Sequence, residues 1–338
     1  MRLRTSDTHA PGWRRVRHGR GFRYLDAAGA PLTDPAHKER IRALAIPPAW
    51  QDVWICPWPN GHVQALGTDA AGRRQYLYHP EFRARQEQSK HEHVLQVAAA
   101  LPQLRERVAE DLAGRGLSRE RVLACAVRLL DLGFFRIGTS AYARANETYG
   151  LTTMLPEHVE CRRGEIAFSY PGKGANWQVR ALVDAPAHDV VRALLRRRSD
   201  GCQLFRYWQG GAWHDVTSAD LNACLRELTG TDITAKDFRT WHATVLAAVG
   251  LAVSVRAGRL SPAARKRAVA RVVREVSHYL GNTPAVCRAS YINPRVVELF
   301  ERNRTIADDL DRLGEDAAAG HPATRGPVED AVRGLLLE

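Results

Sequence analysis

The hydrophobic period of this chain changes once, near residue 80, and that change limits the fold more than any single motif. Between Gly21 and Tyr78, short apolar runs alternate with turn residues. Val53-Trp-Ile-Cys56, His62-Val-Gln-Ala-Leu66 and Gln75-Tyr-Leu-Tyr78 are separated by Pro57, Pro59-Asn60-Gly61, Gly67 and Gly72, which predicts three short strands. From Glu87 onward, Val94, Ala98, Leu101, Leu104, Val108 and Leu112 recur at three- and four-residue spacing until Gly114, the signature of an amphipathic helix. Ser118 caps a second predicted helix that ends at Gly133. A three-strand signal follows at 159–162, 165–170 and 176–183, turning at Arg163-Gly164 and at Pro171-Gly-Lys-Gly174. Thr234 with Asp237 opens a helix through Val249, Ser261-Pro262 opens another that stops at Gly281, and Thr283-Pro284 repeats the start signal. The expected class is α+β. A β-rich N-terminal domain (1–82) with a basic arm precedes a larger, mainly helical domain (83–318) with one three-stranded sheet and a loosely attached tail (319–338).

Charge narrows the partners. Lys and Arg number 49 against 37 Asp and Glu, a formal net charge of +12, and residues 1–23 alone carry seven arginines and one acid. Such a balance fits a polyanion. The longest apolar run, Val245 to Val255, has 11 residues, short of the ~20 that span a bilayer, so no membrane is expected. The six cysteines contain no C-x-x-C pair and read as reduced thiols of a cytoplasmic protein. His91 and His93 form the one histidine cluster, but i and i+2 positions diverge on a helix; a solvated face is expected there, with no metal. A G-K pair occurs at Gly172-Lys173 without the Ser or Thr of a Walker A loop, so no nucleotide cofactor is expected either.

Five separated residues could share one chemistry. Arg136 lies in Phe134-Phe-Arg-Ile-Gly138, Lys173 at the tip of the Pro-Gly-Lys-Gly hairpin, and Arg239 in the first turns of the helix opened by Thr234. Asn282 follows Gly281, and Tyr291 comes nine residues later. Each alone reads as a surface charge or a packed aromatic. Together they suit attack on a phosphodiester. Guanidiniums offer fixed N–H forks to nonbridging oxygens, a tyrosine oxygen can act as nucleophile, and a lysine can protonate the departing oxygen.

In this order, Arg…Lys…Arg…Asn…Tyr, the chain resembles the type IB DNA topoisomerases of the poxvirus and bacterial group. Local strings carry the likeness over roughly residues 40–300. They are Leu66-Gly-Thr-Asp-Ala-Ala-Gly-Arg-Arg-Gln-Tyr-Leu-Tyr78, Phe135-Arg-Ile-Gly138 with Asn146-Glu-Thr-Tyr-Gly-Leu-Thr152, Lys236-Asp-Phe-Arg-Thr240, and Leu280-Gly-Asn-Thr-Pro284 with Arg288-Ala-Ser-Tyr291. The resemblance implies relaxation of supercoiled DNA without ATP or metal, through a 3′-phosphotyrosyl intermediate on Tyr291. Arg136, Arg239 and Asn282 would bind the nonbridging oxygens and Lys173 would be the general acid toward the 5′-oxygen. Asn282 stands where many relatives carry histidine, and an amide can donate a hydrogen bond but offers no positive charge. Arg73, Gln75, Tyr76 and Tyr78 match DNA-contacting positions, and Tyr142 and Lys236 match positions near the cleaved backbone. Tyr279, the other tyrosine beyond Arg239, has no matching string around it.

The expected partner is double-stranded DNA, gripped by a monomer whose two domains close as a clamp, in the cytoplasm at the nucleoid. The helix after Ser261 carries Arg265, Lys266, Arg267, Arg271 and Arg274 between apolar positions, a stripe that serves either a solvated face or phosphate contact. A tyrosine site-specific recombinase is the alternative enzyme, since it shares fold and chemistry. Recombinases, however, usually place histidine three residues before the second arginine, where this chain has Lys236, and carry a helical N-terminal domain. A non-catalytic DNA-binding protein of the same fold is the remaining alternative, opposed by competent side chains at all five positions.

Overall fold

The structure, a computed structural model, describes residues 2–197, 203–256, 258, 260–312 and 324–338. Contacts divide it into two units, between Glu92 and His93. In the first, β1 (Trp13–His18), β2 (Gly21–Leu25), β3 (Gln51–Ile55), β4 (Val63–Thr68) and β5 (Arg74–Tyr78) form an antiparallel sheet of order β2-β1-β3-β4-β5, accompanied by α1 (Pro35–Ala43). Trp13, Ile41, Val53, Ile55 and Ala65 make its core. The three predicted strands are β3 to β5. The expected basic arm is corrected in part. Arg4 pairs through its backbone with Asn60 and His62, and residues 13–25 form the β1–β2 hairpin. Arg15 is tied to the carbonyls of Ile46, Pro47 and Trp50, so part of the arginine excess holds the sheet together.

α2 (Pro80–Leu112) contains both the expected boundary at residue 82 and the observed division. His91 on this helix is buried rather than solvated, and burial pushes its imidazole down to about 4. His93 instead reaches Asp237 at 3.5 Å.

The second unit contains α3 (Arg119–Gly133), α4 (Ser140–Asn146), the sheet β6 (Val159–Arg162), β7 (Glu165–Pro171) and β8 (Trp177–Val183), α5 (Ala185–Arg196), the hairpin β9 (Arg206–Gln209) and β10 (Ala212–Asp215), and α6 (Ser218–Thr229). It continues with α7 (Ala235–Arg256), α8 (Pro262–Leu280), α9 (Pro284–Ser290), α10 (Pro294–Glu301) and α11 (Pro327–Leu337). The three-stranded sheet, β6-β7-β8, is antiparallel throughout and lies where the turn signals put it; β9–β10 is a second sheet that they did not reveal. The caps read from sequence are made, with Ser118, Ser261 and Thr283 accepting from backbone N–H groups at the starts of α3, α8 and α9.

α7 is the central helix. Among the described residues it alone is long and apolar enough to cross a membrane by composition, yet 67% of its most apolar stretch is buried within the fold. A helix apolar on all sides belongs in the middle of a helical layer. Trp241, Val245, Ala248, Leu251 and Ala252 are buried in the same core as Val122–Leu130 of α3 and Val269–Val276 of α8.

The expected loose tail needs correction. Residues 319–323 lie outside the described residues, but 324–338 are built into the unit. Val328 and Val332 are fully buried, and Leu335 and Leu336 nearly so. Glu329 accepts from Arg105 at 2.6 Å and from Trp241 Nε1 at 2.9 Å. Arg105 also grips Asp131 at 2.9 Å, and Asp131 takes His242 at 3.0 Å and Arg325 as well. Burial alone would push the Asp131 carboxyl up, but Arg105 and Arg325 hold it well below the usual carboxylate range. The five described cysteines are unpaired, and Cys202 lies outside the described residues.

Candidate active site

Arg136 sits just beyond α3, whose C-cap Phe134 is left-handed at φ 57°. The segment after Phe134 is clamped by backbone pairing, with Leu151 N donating to Arg136 O and Thr152 N to Ile137 O, both at 2.8 Å. Such pairing needs close approach, and a Cβ at Gly150 would stand 2.5 Å from Gly138 N. Phe134 and Phe135 pack against His242 and Phe168 respectively.

The end of α8 organises the site. Gly281, at φ 62°, is the left-handed residue that ends the helix. Its N–H bonds His278 O, while Asn282 N bonds Ser277 O, the double closure of a Schellman motif. Three later carbonyls are left over, as at any helix C-terminus, and each takes an arginine. Tyr279 O accepts from Arg180 at 2.7 Å, Leu280 O from Arg239 at 2.8 Å, and Gly281 O from Arg136 at 3.0 Å. Arg239 also donates to Phe134 O, and Arg136 to Asn282 Oδ1. The negative end of the helix dipole thus orients three guanidiniums while supplying no formal anion. Among the described residues, none of the three forms an ion pair with a carboxylate.

α9 fills the interval between Asn282 and Tyr291, placing one just before its start and the other at its C-cap. Thr244 of α7 donates to Tyr291 O at 3.3 Å and accepts from Asn293 N at 3.1 Å, which fixes the backbone of the tyrosine. Its ring lies 5.3 Å from the Arg239 guanidinium carbon. Burial pushes the Tyr291 phenol up, but Arg239 and then Arg136 outweigh it, and the net displacement is below the ordinary tyrosine value. Burial, followed by repulsion from Arg136, lowers Arg239 to about 10.

A cavity of about 380 Å³ is lined by Arg136, Lys173, Arg239 and Tyr291 together with Tyr142 and Lys236. Lys173 is exposed on the turn between β7 and β8. Asn282 lines an adjoining cavity of about 710 Å³ that shares Arg136 and Lys173 with the first. All five expected catalytic positions therefore converge, along with both positions expected near the cleaved backbone. Tyr279 is excluded from both cavities and is half-exposed, with its ring centroid 6.3 Å from that of Phe134.

Arg73, Gln75, Tyr76 and Tyr78 belong to the first unit. Arg74, Tyr76 and Tyr78 share the exposed face of β5, and the two tyrosine rings stack at 6.0 Å. Gln75 and Arg73 both donate to Asp69 Oδ2 at 2.9 Å. Backbone donation from Arg73, followed by those side-chain bonds, lowers the carboxyl to about 2.

Sequence reasoning missed Arg180. Gln178, Arg180 and Leu182 occupy the less exposed positions of β8, while Trp177, Val179, Ala181 and Val183 are exposed. The signal that could have found it is an arginine in phase with a leucine on the inward face of a strand.

Residues 79–316 match the family described as eukaryotic DNA topoisomerase I, catalytic core, and residues 21–69 match the bacterial DNA topoisomerase IB N-terminal domain. The chain is 29% identical to DNA topoisomerase 1B of Acanthamoeba polyphaga mimivirus over 78% of its own length and 80% of the relative's. It is 21% identical to DNA topoisomerase 1B of vaccinia virus (strain Copenhagen), covering 80% of this chain and 84% of that one. With DNA topoisomerase 1 of Daucus carota it shares 25% identity over 65% of this chain and 28% of the other. The catalytic-core match alone spans most of the sequence, and the chain belongs to the type IB DNA topoisomerases, enzymes that relax supercoiled DNA by transient cleavage of one strand.

Proposed function

We propose that Tyr291 is the nucleophile of this topoisomerase and that Arg136, Arg239, Asn282 and Lys173 complete its catalytic set. The observation that carries the assignment is the shared cavity: the Tyr291 phenol, the Arg136 and Arg239 guanidiniums and the Lys173 ammonium all line it, and neither guanidinium forms an ion pair with a carboxylate among the described residues. Tyr291 Oη releases its proton to solvent and, as the phenolate, attacks the scissile phosphorus. The phosphorus–5′-oxygen bond breaks, and Lys173 gives that oxygen a proton. Charge developing on the nonbridging oxygens meets Arg136 and Arg239, donors already fixed by helix-end carbonyls, which is where preorganised electrostatics contribute most. Religation reverses each step: the 5′-hydroxyl attacks, its proton returns to Lys173, and the bond to Tyr291 breaks. Torsional strain drives the swivel between the two steps, so no nucleotide enters.

The DNA is held by a monomer acting as a clamp at the nucleoid. Tyr76, Tyr78, Gln75 and Arg73 offer contacts to a groove or backbone, and Tyr142 and Lys236 lie beside the cleaved strand. Exposed Lys266, Arg267, Arg271 and Arg274 of α8 add phosphate contacts, so affinity falls steeply with salt. The testing experiment is relaxation of supercoiled plasmid in EDTA without nucleotide, with denaturant trapping of the covalent adduct. Tyr291→Phe is expected to abolish both relaxation and trapping, and full activity in that variant would remove the assignment.

A further inference from the structure

The second cavity contains a cation that the chemistry above does not use. Arg180 lies inward on β8, donates to Tyr279 O at 2.7 Å, and has a buried Nε without a hydrogen-bond partner. Like Arg136 and Arg239 it forms no ion pair with a carboxylate among the described residues. Burial, relieved in part by Tyr170 and deepened by Arg136, lowers its guanidinium below the ordinary arginine value. A half-buried cation facing other cations is a costly arrangement unless an anion joins it. The scissile phosphodiester carries one negative charge, and Arg136 with Arg239 already exceeds it. The remaining positive charge of Arg180, Lys173 and their surroundings calls for a second phosphate.

Position says which one. Arg136 and Lys173 line both cavities and so stand between them. Tyr291 and Arg239 line only the first, whereas Arg180, Gln178, Asn282 and Thr283 line only the second. If Lys173 meets the 5′-oxygen, the side of Lys173 away from Tyr291 belongs to the strand that leaves.

We infer that the Arg180 cavity is a phosphate subsite that holds the first phosphodiester beyond the 5′-hydroxyl nucleotide of the cleaved strand. This inference rests on the catalytic assignment proposed above. Its role is retention: the broken end stays close to the phosphotyrosine between cleavage and resealing, and loss of the contact lengthens the open interval. More superhelical turns then escape per cleavage event.

The test uses the full-length protein and a substrate whose covalent adduct can be trapped, then chased with a 5′-hydroxyl strand. Arg180→Gln is expected to slow single-turnover religation about tenfold or more, the effect of one charge-assisted contact. Cleavage should change less than about threefold, since this contact is not aimed at the charge that develops at the scissile phosphorus. Arg180→Lys should restore part of the loss. In the unaltered protein, a neutral methylphosphonate at the first phosphate past the 5′-hydroxyl nucleotide should slow religation similarly, and it should add nothing in Arg180→Gln. Independent, multiplicative losses would overturn the subsite, as would wild-type religation by Arg180→Gln. Non-additivity only with a methylphosphonate on the uncut strand would give the anion to that strand and overturn the leaving-strand assignment. Failure of the unaltered protein to form any Tyr291 adduct would instead bring down the catalytic reading as well.

Discussion

Arg136 donates to Oδ1 of Asn282, and that single contact orients the amide. A guanidinium has no acceptor, so the oxygen of the amide must face it and the Nδ2 group must face away. Nδ2 is buried, and its hydrogen bonding toward the Tyr291 phenol is one of the causes that lower that group. Asn282 therefore does two jobs with its two ends, holding Arg136 with its oxygen and turning its donor toward Tyr291, where the nonbridging oxygens of an attacked phosphate would lie. A histidine would bring charge; the asparagine brings a fixed neutral donor.

Asn282→Ala is expected to slow single-turnover cleavage by about 10²-fold, the scale of losing one transition-state donor. Asn282→Asp should be slower still, because a carboxylate against Arg136 neutralises it and repels the phosphate. Quenched single-turnover assays decide this; an aspartate variant faster than the alanine one would contradict the orientation.

The lowered phenol of Tyr291 sets a pH dependence. Its charged form is the nucleophilic one, so the cleavage rate should rise with pH and level off below the ordinary tyrosine value of about 10. Arg136 is one cause of the lowering, and Arg136→Gln should move the plateau to higher pH as well as reduce its height. The measurement is a pH–rate profile of single-turnover cleavage for both proteins. A reduced rate with an unmoved profile would mean that Arg136 does not act on Tyr291.

Gly281 cannot be replaced cheaply. Its φ is 62°, and a Cβ there would meet Gln178 Oε1 at 2.7 Å. Gly281→Ala should cost about 1–2 kcal/mol from the left-handed backbone alone. It should also slow cleavage and religation together, because the carbonyl of residue 281 and its neighbours hold the arginines. Denaturant midpoints and single-turnover rates on the same preparation check both parts.

The network around Asp131 and Glu329 makes stability acid-sensitive. Both carboxyls lie below their ordinary values despite burial. The stabilisation they give is therefore fully present above the unfolded carboxylate range, near pH 4–5, and is lost as pH falls through their lowered folded values. Asp131→Asn should cost about 3–5 kcal/mol at pH 7, because Arg105 and Arg325 are left without their shared partner. The deficit relative to the unaltered protein should shrink toward pH 3, and unfolding curves at the two pH values measure it.

Much of this site was legible because its parts are local. Gly281 after a long amphipathic run, Thr283-Pro284 after it, and the Pro-Gly-Lys-Gly turn each have a short-range physical signature. Those signatures put Asn282 and Lys173 at element ends from local sequence alone. The resemblance supplied which distant residues to bring together. Three features lacked such signals. α11 follows a segment rich in turn residues, and its anchors, Arg105, Asp131 and Trp241, are far away in sequence. The β1–β2 hairpin was hidden by arginines, which on the exposed side of a strand look like an unstructured basic arm. Arg180 was missed because a lone charged residue in a strand of alternating polarity is ordinarily assigned to solvent.

Tyr279, Leu280 and Gly281 are consecutive, so the anchors of Arg180, Arg239 and Arg136 are separated only by the fixed length of a peptide unit, about 3.8 Å between Cα atoms. Their relative spacing is thereby set by covalent geometry rather than by side-chain packing, which can drift. A substitution elsewhere that tilts α8 carries all three anchors in concert, and the triad behaves as a single tool on one handle.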